Sequence, residues 1–137
     1  MENKLMHVYP ARCTACRNCE VACSFSHACG GHPSPSRITA LLDEKKREGK
    51  NMVVICLQCD SAACVAACPG SALWRSLETG AVYHVAERCV RCASCVAACP
   101  FGAMHWDAEC RVPVKCDLCG GSPVCVRFCP TAAIEYR

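Results

Sequence analysis

The sequence is poor in the residues that usually build a hydrophobic core. Its 137 residues include only two Trp, three Tyr and three Phe. Its hydrophobic fraction of 53% is inflated because cysteine is counted in it. No run approaches the roughly 18 apolar residues needed to span a bilayer, and MENKLMHVYP carries no basic-then-apolar leader. Those absences predict a soluble, cytoplasmic protein in a compartment where thiols stay reduced. Charge of one sign is also scarce: a formal net charge of +3 is too small and too mixed to indicate nucleic acid as a partner. No nucleotide-binding loop and no constellation of acid, base and nucleophile stands out, which argues against an enzyme acting alone.

Cysteine is what the chain has in excess. There are 18, well above the roughly 8–10% that marks a structure dependent on its sulfurs. They recur in four groups. The first is Cys13, Cys16, Cys19 and Cys23 in CTACRNCEVAC; the second is Cys56, Cys59, Cys64 and Cys68 in CLQCDSAACVAACP. The third is Cys89, Cys92, Cys95 and Cys99 in CVRCASCVAACPFGAM; the fourth is Cys116, Cys119, Cys125 and Cys129 in CDLCGGSPVCVRFCP. The last three groups end alike, in CPGSAL, CPFGAM and CPTAAI, whereas the first ends in Cys23-Ser24.

Each part of the repeat has a physical role. A C-x2-C-x2-C loop wraps three thiolates around one small inorganic body. The third and fourth cysteines sit four apart and share one face of a helical turn, yet in the bacterial run C-x2-C-x2-C-x3-C-P the fourth cysteine ligates the other cluster of a pair. The short helix then lies between two clusters and needs small side chains, which Ala66, Ala67, Ala97 and Ala98 supply. Proline fixes φ, lacks an N–H and ends the turn. A disulfide scaffold would need a secretory context. A zinc knuckle would need two pairs a dozen or more residues apart. The repeat predicts iron–sulfur clusters, each held by three thiols of one group and one of a neighbour.

Other features carry weaker expectations. Cys29 and Cys110 read as small buried hydrophobes. In SHACGGH, His27, Cys29 and His32 are either loop packing or a second metal site, and packing is favoured. Arg12, Arg88 and Lys115 each precede the first cysteine of a group. Each is either a charge that raises a cluster's potential or a solvated basic residue. DEKKREGK, Asp43 to Lys50, reads as a charged turn between strands at Ser36 to Leu42 and Asn51 to Ile55. SALWRS and AVYHV flank a hairpin bend at Thr79-Gly80. LMHVY and AIEYR read as partner strands that bring the termini together.

Taken together, CRNCEVAC with His27 just after it, CLQCDSAACVAACP with its x4 gap, CVRCASCVAACPFGAM and KCDLCGGSPVCVRFCPTAAIEY resemble a known family over nearly the full length. It is the four-cluster ferredoxin-like subunits found beside molybdenum and tungsten pterin enzymes, hydrogenases and carbon monoxide dehydrogenases. SPSRI together with CDLCGGSPVCVRFCP is most similar to the small subunits of tungsten aldehyde-oxidoreductase-type enzymes.

The resemblance implies an α+β fold of two nested bacterial-type two-cluster ferredoxin units, with short helices and β-hairpins around four [4Fe–4S] clusters. Residues 1–50 and 110–137 would form the outer unit and residues 51–109 the inserted inner one. By resemblance, Cys13, Cys16, Cys19 and Cys129 hold one cluster, and Cys116, Cys119, Cys125 and Cys23 its neighbour. Cys56, Cys59, Cys64 and Cys99 hold the third; Cys89, Cys92, Cys95 and Cys68 hold the fourth. The implied role is to pass single electrons to or from a catalytic oxidoreductase subunit in anaerobic metabolism, a tungsten or molybdenum pterin enzyme being favoured. Alternatives are a hydrogenase or carbon monoxide dehydrogenase partner, a free polyferredoxin, and a conductive scaffold that self-associates into filaments or meets a second redox subunit. Longer relatives carry a C-terminal membrane anchor, whereas this chain stops soon after Thr131-Ala132, so no direct anchor is expected. Four oxidised clusters would shift the formal charge from +3 to about −5.

Overall fold

The computed structural model describes residues 4–28, 31–42 and 51–137. The charged run Asp43 to Lys50 and Cys29 lie outside the described residues. Among the described residues regular structure comes in small pieces: eight strands of three residues, four α-helices and three short 3-10 helices. The strands are β1 (Met6–Val8), β2 (Thr39–Leu41), β3 (Met52–Val54), β4 (Leu73–Arg75), β5 (Val82–His84), β6 (His105–Asp107), β7 (Val112–Val114) and β8 (Ile134–Tyr136). They form four two-stranded antiparallel sheets, β1–β8, β2–β3, β4–β5 and β6–β7.

The expected strand pairs are present. Val8 faces Ile134 across the join of the termini, Ala40 faces Val53, and Trp74 faces Tyr83. The β6–β7 hairpin is an addition that the sequence did not announce. Its turn is organised by Asp107, whose buried carboxylate accepts the backbone N–H groups of Glu109 and Cys110 at 3.0 and 3.1 Å. Pro113 stands in β7, opposite Trp106. A two-stranded ribbon tolerates a strand proline because its missing N–H can face away from the partner.

The helices are α1 (Asn18–Ser26), α2 (Ala63–Ala67), α3 (Ser94–Ala98) and α4 (Val124–Phe128). Each of the last three spans one turn and stops where a Cys-Pro pair begins. The residue before a proline is driven out of the α region, and Cys68, Cys99 and Cys129 all have extended backbones, with ψ of 111°, 113° and 115°. In the first group Cys23 is followed by Ser24, so α1 continues to Ser26. The missing proline therefore reads out directly as a longer helix.

Two hydrophobic clusters form. One joins Ile38, Ala40, Ile55 and Ile134 to Cys19, Cys23 and Cys125. The other joins Leu73, Val82 and Met104 to Cys64 and Cys95. Helix α1 packs on α4, and α2 packs on α3. The pairs that follow Cys-Pro, namely Ala72-Leu73, Ala103-Met104 and Ala133-Ile134, are all buried. These three repeats thus anchor their exit strands alike, with a buried alanine followed by a larger buried apolar side chain.

Candidate metal centres

The short elements bring the cysteines together in four cavities. One is lined by Cys13, Cys16, Cys19 and Cys129, and a second by Cys23, Cys116, Cys119 and Cys125. A third is lined by Cys56, Cys59, Cys64 and Cys99, and the fourth by Cys68, Cys89, Cys92 and Cys95. Each cavity takes three thiols from one group and the fourth from the group whose helix lies alongside. Because Cys19 and Cys23 share α1, that helix separates the first two cavities while contributing to both.

Backbone conformation repeats with the thiols. The second residue after the first cysteine of every group has positive φ: Ala15 at 56°, Gln58 at 51°, Arg91 at 61° and Leu118 at 57°. A left-handed non-glycine residue costs roughly 1–2 kcal/mol, so four in register need a common cause. At Ala15, Gln58 and Arg91 the twist aims the N–H at the Sγ of Cys13, Cys56 and Cys89, 3.4 Å away in each case. A second set follows the Cys-Pro pairs, at Ser71, Gly102 and Ala132. There the N–H groups of Ala72 and Ala133 reach Cys68 and Cys129 Sγ at 3.2 and 3.3 Å. The first group has no Cys-Pro turn, and the N–H of Arg37 in SPSRI does this for Cys23, at 3.3 Å. A loop from 14 residues away thus replaces the missing turn. N–H donors of this kind stabilise thiolate and tune a bound cluster.

Burial favours the neutral form of several of these thiols. Burial pushes Cys125 up to about 12, aided by repulsion from Cys116 and Cys119. Burial also lifts Cys19 and Cys116 to about 11. Cys23 runs the other way: burial opposes its ionisation, but the His27 ring and the Arg37 N–H outweigh it and hold it below the ordinary thiol value. Loading iron onto such sites releases protons, and the bound iron offsets the repulsion that the resulting thiolates would feel. An all-sulfur donor set, crowded and for the most part half-buried, fits a soft-metal cluster.

The residues outside the thiol sets separate clearly. Arg12 is exposed, stacks on Tyr9 at 4.4 Å and pairs with Glu135 at 3.5 Å. Arg88 is exposed and stacks on Trp74 at 5.0 Å. Lys115 is buried, and its Nζ lies 3.1 Å from Cys56 Sγ. His27 does not gather with His32; its Nε2 meets Asp117 Oδ1 at 3.3 Å and sits 4.0 Å from Cys119 Sγ. The Asp117 carboxylate, followed by Cys119 and Cys23, holds the His27 pKa well above its ordinary value. His32 instead pairs with Glu109 at 3.0 Å. Cys110 is half-buried in the β6–β7 turn beside Asp107, and not a core residue. Of the four alanines expected between clusters, Ala67 and Ala98 are half-buried, while Ala66 and Ala97 face solvent. A one-turn helix has only one inward edge, and the cysteines occupy most of it.

Two contributors went unnoticed in the sequence. Gln58 donates from Nε2 to the Cys116 carbonyl at 2.8 Å and accepts the Val82 N–H at 2.9 Å. Asp117 accepts the Cys119 N–H at 2.9 Å and so shapes the fourth loop. The Cys-Asp pair is a recognisable turn signal; nothing local marks Gln58. A separate open cleft of about 670 Å³, walled by His27, Arg37, Tyr83, His84 and Lys115, lies beside the thiol cavities and contributes none of the sixteen cysteines. Among the described residues no helix is long and apolar enough to cross a membrane.

Comparison with known proteins fits this geometry. The 4Fe-4S dicluster domain matches residues 47–137, and a 4Fe-4S binding domain matches residues 10–26. The chain is 41% identical to the polyferredoxin-like subunit of aliphatic sulfonate oxidoreductase from Pyrococcus furiosus, over 91% of this chain and 70% of that one. It is 36% identical to an iron–sulfur protein of Rhodospirillum rubrum, over 98% of this chain and 82% of that one. It is 32% identical to the electron transport protein HydN of Escherichia coli, over 96% and 86%. Among solved structures, the active-site complex BamBC of benzoyl coenzyme A reductase contains a chain of similar fold, with a TM-score of 0.56, 24% identity and coverage of 98% of this chain and 78% of that one. The chain belongs to the 4Fe-4S dicluster family, and it is an iron–sulfur electron-transfer protein that binds [4Fe–4S] clusters.

Proposed function

We propose that this chain is the electron-transfer subunit of a tungsten or molybdenum pterin oxidoreductase, and that its sixteen grouped cysteines hold four [4Fe–4S] clusters in a line. The observation that carries the reading is the set of four cavities, each walled by four cysteines drawn from two groups. Each bound cluster would supply a one-electron couple. The order along the line follows from which residues are shared. Helices α1 and α4 lie between the Cys13 and Cys116 sites, and α2 and α3 lie between the Cys56 and Cys89 sites. Gln58 and Lys115 join the Cys116 and Cys56 sites. The two ends reach the surface, where Cys16 and Cys92 are exposed. The interior thiols and their N–H donors hold charge away from water, and the exposed ends are where electrons enter and leave.

The division into an outer unit (1–50 and 110–137) and an inner one (51–109) is part of this proposal, and the two separate hydrophobic clusters support it. The pterin partner is supported by the SPSRI and CDLCGGSPVCVRFCP segments together with the similarity to a polyferredoxin-like oxidoreductase subunit. The test is anaerobic purification of the chain with whatever it binds, followed by elemental analysis. Tungsten or molybdenum copurifying with iron supports the proposal. Nickel would redirect it to a hydrogenase or carbon monoxide dehydrogenase, and iron alone, with no second chain, would indicate a free polyferredoxin.

A further inference from the structure

Lys115 is the one buried lysine among the described residues, at 6% exposure. It follows β7 directly and reaches from the Cys116 loop to the Cys56 loop. All three of its N–H donors are used: Nζ lies 3.1 Å from Cys56 Sγ, 3.0 Å from Gln58 Oε1 and 3.1 Å from the Cys116 carbonyl. It also forms part of the wall of the Cys56 cavity. None of the ion pairs among the described residues includes it. A buried ammonium without a counter-charge costs several kcal/mol, so an offsetting negative charge is required. The nearest group that can carry one is the Cys56 sulfur.

We propose that Lys115 is a positioning residue that raises the reduction potential of the Cys56 site, by placing a buried ammonium on one of its four thiolates. The inference deepens the functional reading above and rests on it. Taking up one electron from a low-potential donor adds one negative charge to the thiolate-bound site, with no bond made or broken and no proton required. The ammonium and its N–H···S bond stabilise the more negative form more than the less negative one, which shifts the couple upward. Arg12 and Arg88 hold the equivalent sequence position in their own groups, but they lie on the surface, where water screens them. Lys115 differs because its side chain crosses to a thiol of another group, 59 residues away. Gln58 fixes that crossing: its Oε1 accepts from Lys115 while its Nε2 is held by the Cys116 carbonyl.

The experiment is an EPR-monitored redox titration of the anaerobically loaded full chain, with iron content measured on the same samples. Wild type is compared with Lys115→Met, Lys115→Gln and Lys115→Arg. With full iron retained, Met and Gln are expected to move one of the one-electron waves to lower potential. At that wave's wild-type midpoint the reduced-to-oxidised ratio should fall at least tenfold, which is about 59 mV for a one-electron couple. Arg, which keeps the charge, should hold the wave close to its wild-type position. Unmoved waves in the Met and Gln chains at full iron content would overturn the proposal and leave the functional reading standing. A wild-type chain without four-cluster iron would overturn the functional reading itself. If the neutral variants do not load iron, wild type labelled with 15N-lysine decides. A lysine 15N coupling at a reduced cluster, seen by pulsed EPR, is expected, and its absence contradicts the contact.

Discussion

Single residues do more here than fill space. Asp107 is a case outside the thiol sets. Its carboxyl is buried, which by itself would raise its pKa, yet the N–H groups of Cys110 and Glu109 hold it below the usual carboxylate range. A depressed native value means that the unfolded chain binds the proton more readily. The stabilisation is therefore complete above the unfolded value of about 3.9 and is lost as pH falls through the lower native one. Replacing Asp107 by Asn removes the charge and keeps the shape. The melting gap between wild type and Asp107→Asn is expected to narrow below about pH 4, as the carboxylate takes up its proton. A gap unchanged between about pH 5 and about pH 2 would contradict this account of the turn. Residue scale is also where sequence reading stops short. The cysteines are legible because three ligands of each set lie within ten residues and recur four times. The contacts that refine the sites are not, because they join distant positions: Lys115 to Cys56 over 59 residues, His27 to Asp117 over 90, and the Arg37 N–H to Cys23 over 14.

Among the elements, helix length follows chain chemistry. A Cys-Pro pair stops α2, α3 and α4 after a single turn, and its absence lets α1 run nine residues. The pairing of β1 with β8 and the hairpin at Thr79-Gly80 were legible from apolar segments and turn residues. The β6–β7 hairpin was not, since its turn depends on a buried Asp107 side chain and its second strand contains proline. The two hydrophobic clusters can be weakened one at a time. Ile134 is 2% exposed and packs with Ile38 and Ile55; Val82 is 1% exposed and packs with Leu73 and Met104. Ile134→Ala should cost about 2–5 kcal/mol, with iron lost from the Cys13 and Cys116 sites first. Val82→Ala should cost less, because fewer methyl groups are removed, and should affect the Cys56 and Cys89 sites first. Iron per chain and the amplitudes of the EPR waves after mild heating check both. Equal losses from all four sites in either variant would show that the two hydrophobic clusters do not act as separate cores.

For the whole molecule, the shortage is of ordinary cohesion. One-turn helices are well below the length that holds in water, and isolated two-stranded ribbons are marginal. The left-handed residues around each thiol loop add local strain, and clustered buried thiols repel one another once ionised. The clusters must therefore supply much of the folding free energy. Removing iron with a chelator under oxidising conditions should abolish the far-UV signal and the cooperative melt together, and reloading iron and sulfide should restore both. A chain that stayed cooperatively folded without iron would contradict that dependence. The central claim is that four thiol cavities hold four clusters, and native mass spectrometry of the anaerobically purified chain tests it most directly. The account predicts one dominant species whose mass exceeds that of the 14.7 kDa chain by four [4Fe–4S] units, about sixteen iron and sixteen sulfide. A dominant species carrying two clusters, or zinc in place of iron and sulfide, would contradict it.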